Sequence, residues 1–300
     1  MDTQQFAWMD GKFVPLGEAT VPLLTHSLHY GSAVFEGIRF YETAEGPAIF
    51  RLNDHLKRLF SSAKVMGMKI PYSEKELYDA TLTLIKKNNL TSGYIRPLVF
   101  YGSKMGLDPR GAPVHVAIAA WPWGKYLAKE VVKIKISKYM RIHPESSDMK
   151  AKISGHYANS ILATLDAKKG KCDEAILLDH KGNIAEGPGE NIFFVKGKTV
   201  TTPLPDSILS GITRDTVKKL ARDLGYTIIE RSVRPNDIKK FDEAFFTGTA
   251  AELTAIGKID TTVIGGGREG SATKEIREAY HRLVHGKLPR YQKWLTYVKK

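Results

Sequence analysis

Residues 186–193 read EGPGENIF: a carboxylate, Gly187 and Gly189 on either side of Pro188, and then an apolar run that has the character of a strand. Three more stretches share this design, KISGHY (152–157), LSGITRD (209–215) and TGTAAE (247–252). Each joins a reactive or hydrogen-bonding side chain to small residues at the end of an expected strand or the start of an expected helix. Backbone N–H groups lie open at such places, which is how a chain holds a phosphate. The four belong together more naturally than apart.

Outward from these stretches, the second half is strand-rich. EAILLDHKGNIAEG and NIFFVKGKTVTT are hairpin-like, turning at Lys181-Gly182 and Lys196-Gly197-Lys198, while VKIKISKYM, TIIERSV and EAFFTGT read as strands. Ala158, Ile161, Leu162 and Leu165 form a helical stripe that ends at Gly170 as a C-cap. Val217, Leu220, Ala221 and Leu224 mark a helix ending at Gly225, and residues 273–285 a final one. In the first half, AWMDGKFV reads as a hairpin and AVFEGIRFYETAEGPAIFRL as a second strand pair. A helix capped at Asn53 or Asp54 carries Leu56, Leu59, Phe60 and Ala63, and Ser73 with Glu76 makes a capping box before the next. YIRPLVFYG and VHVAIAAW return to strand, and Pro122 and Gly124 then break the pattern. The expected domains are a small α/β domain at 1–121, an interdomain loop at 122–131 and a larger strand-rich domain at 132–300.

Bulk properties narrow the function. A chain of 300 residues, 42% hydrophobic and 26% charged, has an ordinary soluble composition, and no apolar run approaches a membrane span, so a cytoplasmic protein without a membrane partner is expected. The one cysteine, Cys172, excludes an internal disulfide, and nothing around it marks a nucleophile. The net charge of +13 is scattered, with a local excess only in the tail GKLPRYQKWLTYVKK, and no nucleic-acid motif accompanies it; no nucleic-acid partner is expected, and a basic field serves equally to draw small anions toward a cleft. Gly265, Gly267 and Gly270 match G-x-G-x-x-G but lack the second strand and later acidic residue of a dinucleotide site, which leaves a turn before a helix. His26 and His29 lack a companion ligand, and no metal is expected.

Taken together with HYGSAVFEGIR (29–39) and YIRP (94–97), the four stretches resemble, in order and spacing, those of the fold type IV pyridoxal-phosphate enzymes, and the branched-chain amino acid aminotransferases in particular. The resemblance runs from about Trp8 to the last helix. It implies a two-domain α+β or α/β fold of the D-amino acid aminotransferase-like type and pyridoxal 5'-phosphate as cofactor. By position, Lys152 matches the Schiff-base lysine, leaving Lys150 a bystander; Glu186 matches the carboxylate facing the pyridine nitrogen, and Tyr157 the partner of the ring's phenolic oxygen. Arg58, read as lying on the exposed side of its helix, resembles the phosphate-binding arginine. Gly211, Ile212 and Thr213 match the helix start on the phosphate, Thr249 supplies a hydroxyl, and Leu209 packs on the ring. Thr249 and Ala250 fit the loop that takes the substrate α-carboxylate.

Tyr30, Phe35, Gly37, Arg39, Tyr94, Leu107 and Trp123 resemble the substrate pocket, and Arg96 the partner of a distal carboxylate. In relatives Tyr30 and Leu107 reach across a subunit boundary, which implies a homo-oligomer, a dimer or a trimer of dimers. The implied reaction exchanges the amino group of leucine, isoleucine or valine with 2-oxoglutarate; D-amino acid aminotransferases, (R)-selective amine aminotransferases and aminodeoxychorismate lyases share the framework. Three departures stand out. His156 replaces a common Asn, Ile153 a smaller residue, and Gly257-Lys258 a Pro-containing turn.

Overall fold

The computed structural model describes residues 5–124, 127 and 129–299. Two compact units emerge, one of Met1–Gly124, Ala151–His156 and Arg282–Lys300, the other of Lys125–Lys150 and Tyr157–His281. A single cut at 122–131 does not describe this division, because two later segments belong to the first unit. Ile153 pairs with Val34 in an antiparallel bridge, flanked by bonds from Ser154 N to Ala33 O (2.8 Å) and Gly155 N to Gly31 O (2.9 Å). Leu295–Tyr297 pairs with Gly46–Phe50 and closes that edge of the first sheet.

The helices are α1 (His26–Tyr30), α2 (Leu52–Val65), α3 (Glu74–Lys87), α4 (His156–Lys169), α5 (Ile212–Asp223) and α6 (Ser271–Val284). In the first unit the strand order is Leu295–Tyr297, Gly46–Phe50, Ile38–Thr43, Gly93–Tyr101, Val114–Trp121, Phe6–Met9, Lys12–Pro15, with Val34–Phe35 also on Gly93–Tyr101. Its pairings are antiparallel, which gives this unit α+β character. Leu56, Leu59, Leu77 and Leu84 of α2 and α3 bury against Ile38, Phe40, Ile49, Ile95 and Val99. The capping box of α3 is present, with Glu76 N bonded to Ser73 Oγ and Ser73 N to the Glu76 carboxylate. Contrary to the expected cap at Asn53 or Asp54, α2 starts from Arg51 in a left-handed conformation (φ 53°). Tertiary contacts fix this start: Arg51 N donates to Trp294 O at 2.7 Å and the guanidinium lies 4.8 Å from the Trp294 ring.

The second unit's mixed sheet runs Ile184–Glu186, Glu174–Leu178, Val131–Ile136, Glu252–Ile259, Glu243–Gly248, Asn191–Lys196, Thr199–Thr202, Thr227–Glu230. The expected inner stripe of α4 is on the outside: Ile161, Leu162 and Leu165 are 58%, 44% and 53% exposed. Ala163 and Ala167 face inward instead, onto Ala175 and Leu177. Their small side chains let the helix lie close to the strand, and that proximity decides the face. At Gly270, a Cβ would fall 2.0 Å from Glu243 Cδ, and the Glu243 carboxylate accepts from Ala272 N (3.0 Å), Thr273 N (2.7 Å) and Thr273 Oγ1 (2.7 Å). A carboxylate already occupies the start of α6, so the glycine motif holds no dinucleotide phosphate there.

Candidate active site

In the first unit, residues 151–156 run beside 31–35, and the chain positions Lys152 from three sides. Its carbonyl accepts from Phe35 N at 3.1 Å, its N donates to Ser62 Oγ at 3.0 Å, and its Nζ lies 4.9 Å from the Phe35 ring centroid. Lys152 is half-buried, whereas Lys150 is exposed in a turn closed by Asp148. The pairing demands glycine at Gly31, which has φ 63° and whose Cβ would meet Gly155 Cα at 2.9 Å.

Arg58 does not lie on an exposed helix face. Its Nε donates to Glu36 Oε1 at 2.6 Å and its Nη2 to Glu36 Oε2 at 2.9 Å, with the Glu36 side chain fully buried. His55 Nδ1 bonds the same carboxylate at 2.7 Å. Burial alone would raise the Glu36 carboxyl, but the charges of Arg58 and His55 and their hydrogen bonds hold it well below the usual carboxylate range. Burial lowers His55, and the charges of Arg58 and Lys152 add to that against the opposing pull of Glu36. Because an ionised carboxylate only accepts, His55 Nδ1 carries a proton and donates to Glu36.

Strand alternation puts Tyr94 and Arg96 on one face of Gly93–Tyr101, with Arg39 opposite Tyr94. The Arg96 guanidinium lies 4.8 Å from the Phe35 ring centroid and 5.4 Å from that of Tyr94, and its buried Nε has no hydrogen-bond partner among the described residues. Tyr94 meets Trp123 edge-on at 4.3 Å. Arg39 donates through Nη2 to the carbonyls of Trp123 (3.2 Å) and Gly124, so it holds that backbone. Tyr30 and Leu107 sit on the surface, 39% and 83% exposed; Gly106 N donates to the Tyr30 hydroxyl at 3.3 Å.

In the second unit, Glu186 is 4% exposed and accepts from Arg141 Nε at 2.7 Å, Asn191 Nδ2 at 3.1 Å and Leu209 N at 3.2 Å. Asn191 also donates to Leu209 O at 3.0 Å, and a Cβ on Gly211 would fall 2.1 Å from its Oδ1. One amide thus ties EGPGENIF to LSGITRD. Gly187 is required by Glu190 Oε2 and Phe246, which a Cβ would meet at 2.7 and 3.0 Å, while nothing crowds Gly189. Gly211 caps α5 with no side-chain cap bond, and Ile212 and Thr213 form its buried first turn. Tyr157 stands half-buried in the first turn of α4; Thr249 and Ala250 are half-buried in the turn after Glu243–Gly248. The Oγ1 of buried Thr247 has no partner among the described residues. A ring nitrogen suits the buried Glu186 carboxylate, and a phosphate suits the α5 start, whose glycine leaves no room for a side chain.

Sequence reasoning missed Glu36, His55, Arg141 and Asn191. A glutamate inside the apolar run AVFEGI was a usable signal, because a buried carboxylate requires a cation. Nothing local to YMRIHPE marks Arg141, which meets Glu186 from 45 positions away.

The pattern of the amino-transferase class IV family matches residues 33–259. The branched-chain-amino-acid aminotransferase of Pseudomonas aeruginosa is 47% identical, with 99% of both chains covered, and that of Escherichia coli K12 is 41% identical over 98% of this chain and 97% of the other. Among solved structures, the branched-chain aminotransferase of Thermoproteus uzoniensis with norvaline superposes with a TM-score of 0.94 at 43% identity, covering 98% of this chain and 99% of the other. The Escherichia coli enzyme does so with a TM-score of 0.96 at 40% identity, covering 99% of this chain and 100% of the other. With a family match over most of its length and full-length relatives of one activity, the chain belongs to the class IV aminotransferases, among the branched-chain-amino-acid aminotransferases.

Proposed function

We propose that the protein exchanges the amino group of L-leucine, L-isoleucine or L-valine with 2-oxoglutarate, using pyridoxal 5'-phosphate, in the cytoplasm. When bound, that cofactor takes up the amino group and draws the electron pair released at the substrate Cα into its ring. Lys152 Nζ carries the proton to and from Cα, Glu186 keeps the ring nitrogen protonated, and Tyr157 bonds the phenolic oxygen. Arg58, the amides of Ile212 and Thr213, and the Thr249 hydroxyl hold the phosphate; Leu209 packs on the ring. The turn at Thr249 and Ala250 takes the substrate α-carboxylate. The observation that carries the substrate reading is Arg96: one guanidinium whose buried Nε is unpartnered among the described residues, against Phe35 and Tyr94. Aromatic walls suit an aliphatic side chain, and a single cation suits the distal carboxylate of 2-oxoglutarate. Exposed apolar side chains in both units, among them Leu23 (75%), Leu28 (61%), Leu107 (83%) and Ile161 (58%), support a homo-oligomer.

The test mixes the purified, cofactor-loaded protein with L-leucine or with D-alanine and follows the visible cofactor band. L-Leucine should bleach it and 2-oxoglutarate restore it. Bleaching by D-alanine alone would assign the protein to the opposite handedness.

A further inference from the structure

Helix α2 presents His55, Arg58 and Ser62 at spacings of three and four, along one face. Ser62 receives the backbone N–H of Lys152, while His55 and Arg58 converge on Glu36. Both Glu36 oxygens are engaged. Oε1 accepts from Arg58 Nε at 2.6 Å; Oε2 accepts from Arg58 Nη2 at 2.9 Å, from His55 Nδ1 at 2.7 Å and from Gly37 N at 3.3 Å. Two parallel bonds from Nε and Nη2 fix the plane of the guanidinium, not merely its distance. Net stability does not explain the cluster, because a buried ion pair is roughly matched by well-packed apolar residues of similar volume. Orientation does. An arginine side chain is rich in rotamers, and a phosphate site gains affinity when that freedom is already removed.

We propose that Glu36, braced by His55, is a positioning residue: it holds the Arg58 guanidinium in the orientation that receives the cofactor phosphate, and so sets how tightly the phosphate-bearing cofactor is retained. This rests on the reading of Arg58 as a phosphate ligand. Glu36 touches neither ring nor substrate in this scheme. Its influence passes through one guanidinium, and so depends on the phosphate.

That dependence makes the test specific. The apoprotein is titrated with pyridoxal 5'-phosphate and, separately, with pyridoxal, which lacks the phosphate, and dissociation constants are read from tryptophan fluorescence. Glu36→Gln should weaken pyridoxal 5'-phosphate about 10- to 100-fold, the range of a lost charged hydrogen bond, and leave pyridoxal unchanged. Arg58→Met should do the same, and Glu36→Gln should add nothing in the Arg58→Met background. His55→Gln, which keeps the Glu36–Arg58 pair, should weaken only pyridoxal 5'-phosphate, and by less. Equal losses for both ligands would reduce Glu36 to a structural role and overturn the inference. So would an unchanged Glu36→Gln beside a weakened Arg58→Met. An unchanged Arg58→Met would remove the phosphate reading of Arg58 and the inference together. Far-ultraviolet circular dichroism of each apoprotein establishes folding; should Glu36→Gln not fold, Glu36→Asp, which keeps the charge but withdraws it by one methylene, carries the same comparison.

Discussion

Gly37 stands where no side chain fits: a Cβ there would lie 1.8 Å from the Tyr94 hydroxyl and 2.7 Å from Tyr94 Cζ. Tyr94 cannot swing aside freely, because it is 5% exposed and packs against Trp121 at 5.4 Å and Trp123 at 4.3 Å. Gly37→Ala is therefore expected to cost about 1–3 kcal/mol through overpacking, read as a lower midpoint of thermal unfolding. Adding Tyr94→Phe removes the nearest atom and should restore part of the loss, making the pair non-additive. Additive losses would show that the two positions do not meet. At this scale the sequence was partly legible. The resemblance separated Lys152 from Lys150, which composition could not; it also pointed to Arg58, but helical spacing alone placed that side chain in solvent, and only packing revealed the buried Glu36 that claims it.

Helix α4 shows where periodicity runs out. Ile161, Leu162 and Leu165 repeat as an inner stripe would, and so do Ala163 and Ala167; the alanines are the pair that is buried, both at 0% exposure. Hydrophobicity favoured the leucines, and close approach to Glu174–Leu178 favoured the small residues. The prediction separates the two faces. On the proposal that the protein is a homo-oligomer whose exposed α4 stripe is covered by a second copy, Ile161→Gln with Leu165→Gln should keep the native circular dichroism while lowering the solution mass measured by light scattering. Ala163→Leu should instead destabilise the fold by about 1–3 kcal/mol. An unchanged mass in the glutamine variant would remove α4 from the interface.

At the scale of the molecule, the last residues matter to the first unit although they lie far from it in sequence. Leu295–Tyr297 covers the edge strand Gly46–Phe50, and Trp294 holds Arg51, from which α2 starts. A chain ending at Leu288 should expose that edge, scatter light on heating and melt about 5 °C lower; an unshifted midpoint without aggregation would show that the tail adds nothing. The sequence by itself determined the family, through its resemblance to known enzymes, and the glycine-bearing turns and most helices, because these last depend on local spacing, caps and conformational freedom. Tertiary structure alone decided which α4 face turns inward, where α2 begins, that Glu36 and Arg141 are the partners of Arg58 and Glu186, and that 282–300 returns to the first unit. The physical reason is that periodicity tells which residues can share a face, whereas the neighbour that face meets, and the opposite charge that a buried carboxylate must find, are chosen by packing between segments remote in the chain.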